Sequence, residues 1–138
     1  MIRRVNPTEH QIQAAIVEWA NNIRYGGAFG QYLGNFLIAI PNGGKRNISE
    51  AVRLKKEGVK KGVSDLFLAI PLFVMDESSV FGGHTVSGLW LEIKTDKGRV
   101  SKEQILWGDN MCLIGYRFSV ARSVDEGINA IKDYLGIK

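Results

Sequence analysis

Apolar residues at Ile12, Ala15, Ile16, Trp19, Ala20 and Ile23 recur at three- and four-residue intervals, which predicts an amphipathic helix near the start of the chain. Asn6 is its candidate N-cap with Pro7 at the first helical position, and Gly26-Gly27 stop it. The run from Leu33 to Ile40 reads as a mostly buried strand closed by the turn residues Pro41-Asn42-Gly43-Gly44. Residues 48–57 return to helical spacing, with Ala51, Val52 and Leu54 set among Arg53, Lys55 and Lys56, and Gly58 ends that helix. Two strands follow, from Asp65 to about Leu72 and from about Val86 to Lys94, joined by a loop through Gly82-Gly83 and expected to pair as an antiparallel hairpin. Ser101 with Gln104 three residues on forms a capping-box pattern before a helix carrying Ile105, Leu106, Trp107, Met111 and Leu113. Residues 116–121 read as a last strand, and Ser123 with Glu126 opens a last helix through Ile128, Ile131 and Leu135. The predicted order is αβαββαβα, an α/β chain in which helices flank a mixed β-sheet.

Composition narrows this picture. At 138 residues the chain is expected to form a single domain over 1–138, and 45% apolar against 23% charged residues is ordinary for a folded protein. Its net charge of +4 permits a polyanionic partner without requiring one. The longest apolar run, Leu66–Met75, is half the length of a membrane-spanning helix, and the basic N-terminus leads into Asn6-Pro7-Thr8-Glu9 rather than an apolar signal core. The expectation is a cytoplasmic protein without a membrane contact, in the host cytoplasm if the chain is phage-encoded. Cys112 forms no internal disulfide and is expected to behave as a small buried hydrophobe in Met111-Cys112-Leu113-Ile114.

The chemistry concentrates in Trp90-Leu91-Glu92-Ile93-Lys94. Strand alternation sends Leu91 and Ile93 to one face and Trp90, Glu92 and Lys94 to the other, with Glu92 and Lys94 about 6 to 7 Å apart. An antiparallel partner starting at Asp65 brings a second carboxylate to the same sheet end. Two like charges there repel unless a cation lies between them, and Mg²⁺ characteristically takes one or two carboxylates with water and phosphate oxygens. An isolated Glu-X-Lys is otherwise an ordinary surface ion pair. His10 and His84 have no metal-ligand spacing.

Five segments together resemble the VRR-NUC domain, a branch of the PD-(D/E)xK nuclease superfamily with stand-alone phage and bacterial members. They are Thr8-Glu9, Pro41-Asn42-Gly43-Gly44-Lys45-Arg46, the Gly58–Asp65 segment, Leu91-Glu92-Ile93-Lys94 and Ser101-Lys102-Glu103-Gln104, and the likeness runs from about Thr8 to Tyr134. Ser64 stands where the proline of the superfamily name would be, a structural rather than a catalytic position in the family.

The resemblance implies a restriction-endonuclease-like core and Mg²⁺- or Mn²⁺-dependent hydrolysis of DNA phosphodiesters, with no small-molecule cofactor. Asp65, Glu92 and the Ile93 main-chain carbonyl would ligate the metal, and Lys94 would orient water and stabilise charge developing on phosphorus. Gln104 either holds Lys94 or a phosphate, or only closes its capping box. Glu9 matches the family's N-terminal helix glutamate, with a metal-shell role possible through water; the rival role is N3 capping from Asn6. Asn42, Gly43, Gly44, Lys45 and Arg46 suit phosphate contact, and Arg53, Lys60 and Lys61 extend a basic track towards Asp65, although such runs are commonly only solvated faces. Trp90 and Trp107 are expected in the core or an interface rather than as base-stacking platforms. The implied partner is branched DNA, cut as a four-way junction by a homodimer. The alternatives are a less selective phage endonuclease or flap nuclease with the same site, and a non-catalytic basic DNA-binding module.

Overall fold

The computed structural model describes residues 5–26, 30–41 and 46–138. In chain order the elements are α1 (Glu9–Asn21), β1 (Arg24–Tyr25), β2 (Gln31–Tyr32), a short 3-10 turn (Leu33–Phe36), β3 (Leu37–Ala39), α2 (Ile48–Lys56), β4 (Leu66–Leu68), β5 (Leu72–Met75), β6 (Gly83–Val86), β7 (Leu89–Ile93), α3 (Lys102–Leu113), β8 (Arg117–Ala121) and α4 (Val124–Leu135). The main sheet has the order β3-β4-β7-β8. Its first two pairings are antiparallel, and β7–β8 is parallel, with α3 making the crossover. This is the mixed, helix-flanked sheet that the periodicity predicts.

Strand alternation in β7 sorts the two faces. Leu89, Leu91 and Ile93 point into a core with Leu66 and Leu68 of β4, covered by Ile12, Ile16 and Ala20 of α1 and Ile131 of α4. Trp90 points the other way, where Phe67 of β4 stacks on it at 4.3 Å and Trp107 of α3 meets it edge-on at 5.3 Å. Helix α3 therefore covers the face that carries Trp90 and Glu92. It approaches closely because Gly108, the one buried residue in that helix, lies over Phe118 of β8, where a Cβ would come within 2.6 Å of the ring.

Several local expectations change. The first helix is capped by Thr8 rather than Asn6, in a capping box with Gln11, so Pro7 precedes the helix and Glu9 is its first residue. The strand expected over 33–40 gives its first half to the 3-10 turn, because Gly34 packs directly against Asn21 at the end of α1. The long hairpin expected between 65–72 and 86–94 is divided. Leu66–Leu68 pairs with Leu89–Leu91 in the main sheet, while β5 and β6 form a separate two-stranded sheet. Pro71 has no N–H to continue the ladder, and the Ser87 N–H is drawn to the Gly115 carbonyl at 2.8 Å. Strands β1 and β2 are only two residues each and leave no periodic signal. Cys112 is exposed rather than buried, because α3 meets the sheet through Gly108 and Trp107 and turns its C-terminal apolar residues outward.

Gly108→Val forces two methyl groups into Phe118 without the helix propensity that alanine would add. The expected outcome is a loss of about 2 kcal/mol in urea unfolding, within the usual range for an overfilled interface.

Candidate active site

The register of β4 against β7 pairs Leu66 with Leu91, so the residue before β4, Asp65, arrives beside the end of β7. There the Ile93 N–H donates to Asp65 Oδ2 at 2.7 Å, fixing one oxygen of that carboxylate. The Asp65 carbonyl in turn accepts from the Ile40 N–H at 2.8 Å, which ties the approach to Asp65 onto the end of β3. The preceding loop is held from the far side. Gly62 has φ +85 and its backbone lies against the Glu103 carbonyl in the first turn of α3, where any Cβ would overlap. Ser64, fully buried between this contact and Asp65, has a hydroxyl with no hydrogen-bond partner.

Glu92 projects from the middle of this arrangement and is only 2% exposed. Its Oε1 accepts from Gln104 Nε2 at 2.7 Å and lies 3.6 Å from Lys94 Nζ. Its Oε2 is buried with no hydrogen-bond partner. Gln104 also accepts the Ser101 N–H through Oε1 at 2.8 Å, while its own N–H bonds to Ser101 Oγ. The two roles expected as alternatives for Gln104 thus occur together: the cap orients the amide, and the amide's donor end engages Glu92.

Burial pushes the Glu92 pKa up to about 8, the neighbouring Asp65 carboxyl raises it further than Lys94 lowers it, and a proton shared between the Glu92 and Asp65 side chains adds to the rise, with Glu9 a smaller push in the same direction. Two adjacent carboxyl groups, one of them desolvated with an oxygen that no other donor reaches, are the environment a divalent cation relieves, so the donor set fits one. Asp65 and Glu92 would hold it, with the Ile93 carbonyl at the same strand end. Among the described residues no group of three or more His, Cys, Asp or Glu is placed to hold a metal ion, so the candidate donors are the two carboxyl groups and main-chain oxygens.

Other expected residues are distributed around this centre. Glu9 stands exposed at the first turn of α1, close enough to affect Glu92 electrostatically but outside its hydrogen-bonded group. With Gln11 closing the cap, the N3-capping role considered for Glu9 is filled by another residue. Arg53, Lys60 and Lys61 are exposed and Arg46 is half-buried. Asn42, Gly43, Gly44 and Lys45 lie outside the described residues. Trp90 and Trp107 are half-buried in the aromatic layer beneath α3. A cavity of about 710 Å³ lies at the other end of the sheet, lined by Leu72, Val86, Leu89, Arg117 and Tyr134 among others, and does not include Asp65 or Glu92. Arg122 is a residue the sequence patterns do not single out. Its Nη1 donates to the carbonyls of Thr95, Asp96 and Gly98, and only the tertiary fold brings these partners within reach.

The VRR-NUC domain family model matches residues 7–125 of the chain. A solved structure described as a VRR_NUC domain protein superposes with a TM-score of 0.75 at 23% identity, over 97% of this chain and 93% of that one, which is a likeness of fold. Among proteins with curated descriptions, none matches.

Because folding moves the Glu92 pKa from 4.5 to about 8, the folded metal-free protein keeps a proton that the unfolded chain has released throughout that interval. Its contribution to stability is present at low pH, declines as pH rises through the interval and is lost above about 8. In EDTA the urea midpoint is expected to fall more steeply between pH 5 and 8 for the wild type than for Glu92→Gln. Adding Mg²⁺ or Mn²⁺ at pH 8 should raise the wild-type midpoint and leave that of Glu92→Gln nearly unchanged.

Proposed function

Since this chain belongs to the VRR-NUC domain family, whose members are nucleases of the PD-(D/E)xK type, we propose that it is a Mg²⁺- or Mn²⁺-dependent DNA endonuclease acting as one domain over 1–138. The observation that carries the reading is the buried, unpartnered Oε2 of Glu92 beside Asp65, with Lys94 Nζ 3.6 Å from the other oxygen. When bound, a divalent cation supplies Lewis-acid polarisation of a phosphate and acidifies water.

The chain's own residues do the rest. Asp65 and Glu92 present their carboxylates, with the Ile93 carbonyl, as the cation-binding group. Gln104 keeps Oε1 of Glu92 occupied, which directs the carboxylate's free oxygen towards the cation. Lys94 is 12% exposed at its side chain, so its ammonium acts with little competing water. It stabilises charge developing on the phosphoryl oxygens and orients the attacking water. Glu9, on the rim, would reach a bound cation through water. Arg46, Arg53, Lys60 and Lys61 contact the phosphate backbone, a role the sequence pattern also gives to Asn42, Gly43, Gly44 and Lys45. A cytoplasmic location accompanies this reading, and no helix among the described residues is long and apolar enough to cross a membrane.

The preferred substrate is branched DNA, a four-way junction cut by a homodimer with two sites. Two apolar surfaces support self-association: Phe73, Met75, Val80 and Phe81 on the β5–β6 hairpin, and Leu106, Leu113 and Ile114 on the outer side of α3 and just beyond it, all exposed.

With labelled junction, duplex and single-stranded DNA, the expected result is paired cuts across the junction that require Mg²⁺ and vanish with EDTA. Lys94→Ala should lower the rate about 10²- to 10³-fold, Asp65→Asn should abolish metal-dependent cutting, and Gln104→Ala should cost about 10- to 100-fold. Metal-dependent cutting of plain duplex would replace the junction preference with a general endonuclease, and binding without any cleavage would overturn the enzymatic reading. Sedimentation equilibrium should give a dimer that Phe81→Asp or Leu113→Asp dissociates; a strict monomer would remove the paired-cut model.

A further inference from the structure

The segment between β7 and α3 has a surface that the proposed catalytic set leaves unused. Lys97, Arg99 and Lys102 are all exposed within six residues, shortly after Lys94, and only Asp96 and Glu103 oppose them in that stretch. Exposed cations on a loose loop are ordinarily only solvated. Here the loop is locked. The Gly98 N–H donates to the Thr95 carbonyl at 3.1 Å, closing a turn, and Arg122 Nη1 reaches across from the end of β8 to the carbonyls of Thr95 (3.1 Å), Asp96 (3.4 Å) and Gly98 (2.6 Å). Arg122 is anchored in turn, since its own N–H donates to Glu126 of α4.

This turn also rests on the candidate site. A Cβ at Gly98 would lie 3.4 Å from Lys94 Cδ, so the turn flanks the stem of the lysine whose ammonium reaches Glu92. On its other side the contact of Gly62 with the Glu103 carbonyl joins the first turn of α3, next to Lys102, to the loop carrying Lys60 and Lys61. Exposed cations thus adjoin the candidate site from the turn after Lys94 as well as from the 60–61 loop. A guanidinium committed to three main-chain carbonyls holds this turn in one conformation, which lowers the ordering cost of binding an extended polyanion.

We propose that the Arg122-locked turn is a further backbone-binding ledge for DNA, with Lys97, Arg99 and Lys102 contacting phosphates beside the cleavage centre. The inference rests on the nuclease reading for its ligand and adds residues that reading does not assign.

The test is fluorescence anisotropy of a labelled 30-base-pair duplex with the full chain in EDTA, across a series of KCl concentrations. Wild-type binding should weaken linearly on logarithmic axes. The triple variant Lys97→Ala, Arg99→Ala, Lys102→Ala should reduce that slope by about 0.9 for each phosphate it no longer neutralises, or about 2 to 3 in all. Its melting temperature should stay unchanged because the three side chains are exposed. Arg117→Ala, at the far end of the sheet where it pairs with Leu89, should leave the slope as it is. A triple variant with the wild-type slope would overturn the ledge while leaving the nuclease reading intact. A wild type that binds no DNA at any salt, and cuts none with Mg²⁺, would overturn both.

Discussion

Three residue pairs between β4 and β7 hold the candidate site together. With Leu66 opposite Leu91, Phe67 opposite Trp90 and Leu68 opposite Leu89, the apolar side chains of both strands enter the same core and the aromatic pair stacks on the opposite face. That register carries Asp65 to the Ile93 N–H. A slip of one residue would turn Leu66 and Leu68 towards α3 and Phe67 into the core, an exchange the packing on both faces opposes. Hydrophobic burial, which has no chemical role of its own here, thereby fixes the separation of two carboxylates far apart in sequence.

The same packing makes Glu92 costly to the metal-free fold. A carboxylate with an unpartnered oxygen sits one residue from Leu91 and Ile93, both almost fully buried. Such groups are tolerated where the rest of the fold over-determines them, and here the surrounding strand, the aromatic layer and the Gln104 amide leave Glu92 little room to turn towards solvent. The amide has a direction. Because Ser101 N–H takes its oxygen, only its nitrogen can face Glu92, so the carboxylate's two oxygens are unequal before any ligand arrives.

Elements with strong periodicity are legible from residue order alone: the stripe of Ile12, Ile16 and Ala20, the alternation through Leu89, Leu91 and Ile93, and the Ser101–Gln104 capping box. The convergence of Asp65 with Glu92 also follows, since an antiparallel pair leaves few other placements. Caps are harder, because Asn6 with Glu9 and Thr8 with Gln11 offer the same pattern two residues apart, and the fold uses the second. The exposure of Cys112 is hidden because an apolar run reads the same whether it faces a core or solvent. Arg122 is invisible for a different reason: its partners lie 24 to 27 residues away, and no local pattern encodes a side chain that locks a distant turn.

The division of the expected hairpin separates two kinds of sequence tolerance. Between Leu68 and Leu89 the chain leaves the main sheet, builds β5 and β6 as their own ladder, and returns at Gly88, whose missing side chain makes room for the Phe67 ring. Residues added or removed around the 76–82 turn alter the reach of that arm without shifting any pair between β4 and β7. The tip of the excursion is thus a position where length and surface character can be retuned, by selection or by design, while its base stays packed at Ile70, Leu72 and Val86 and the distance between Asp65 and Glu92 stays constant.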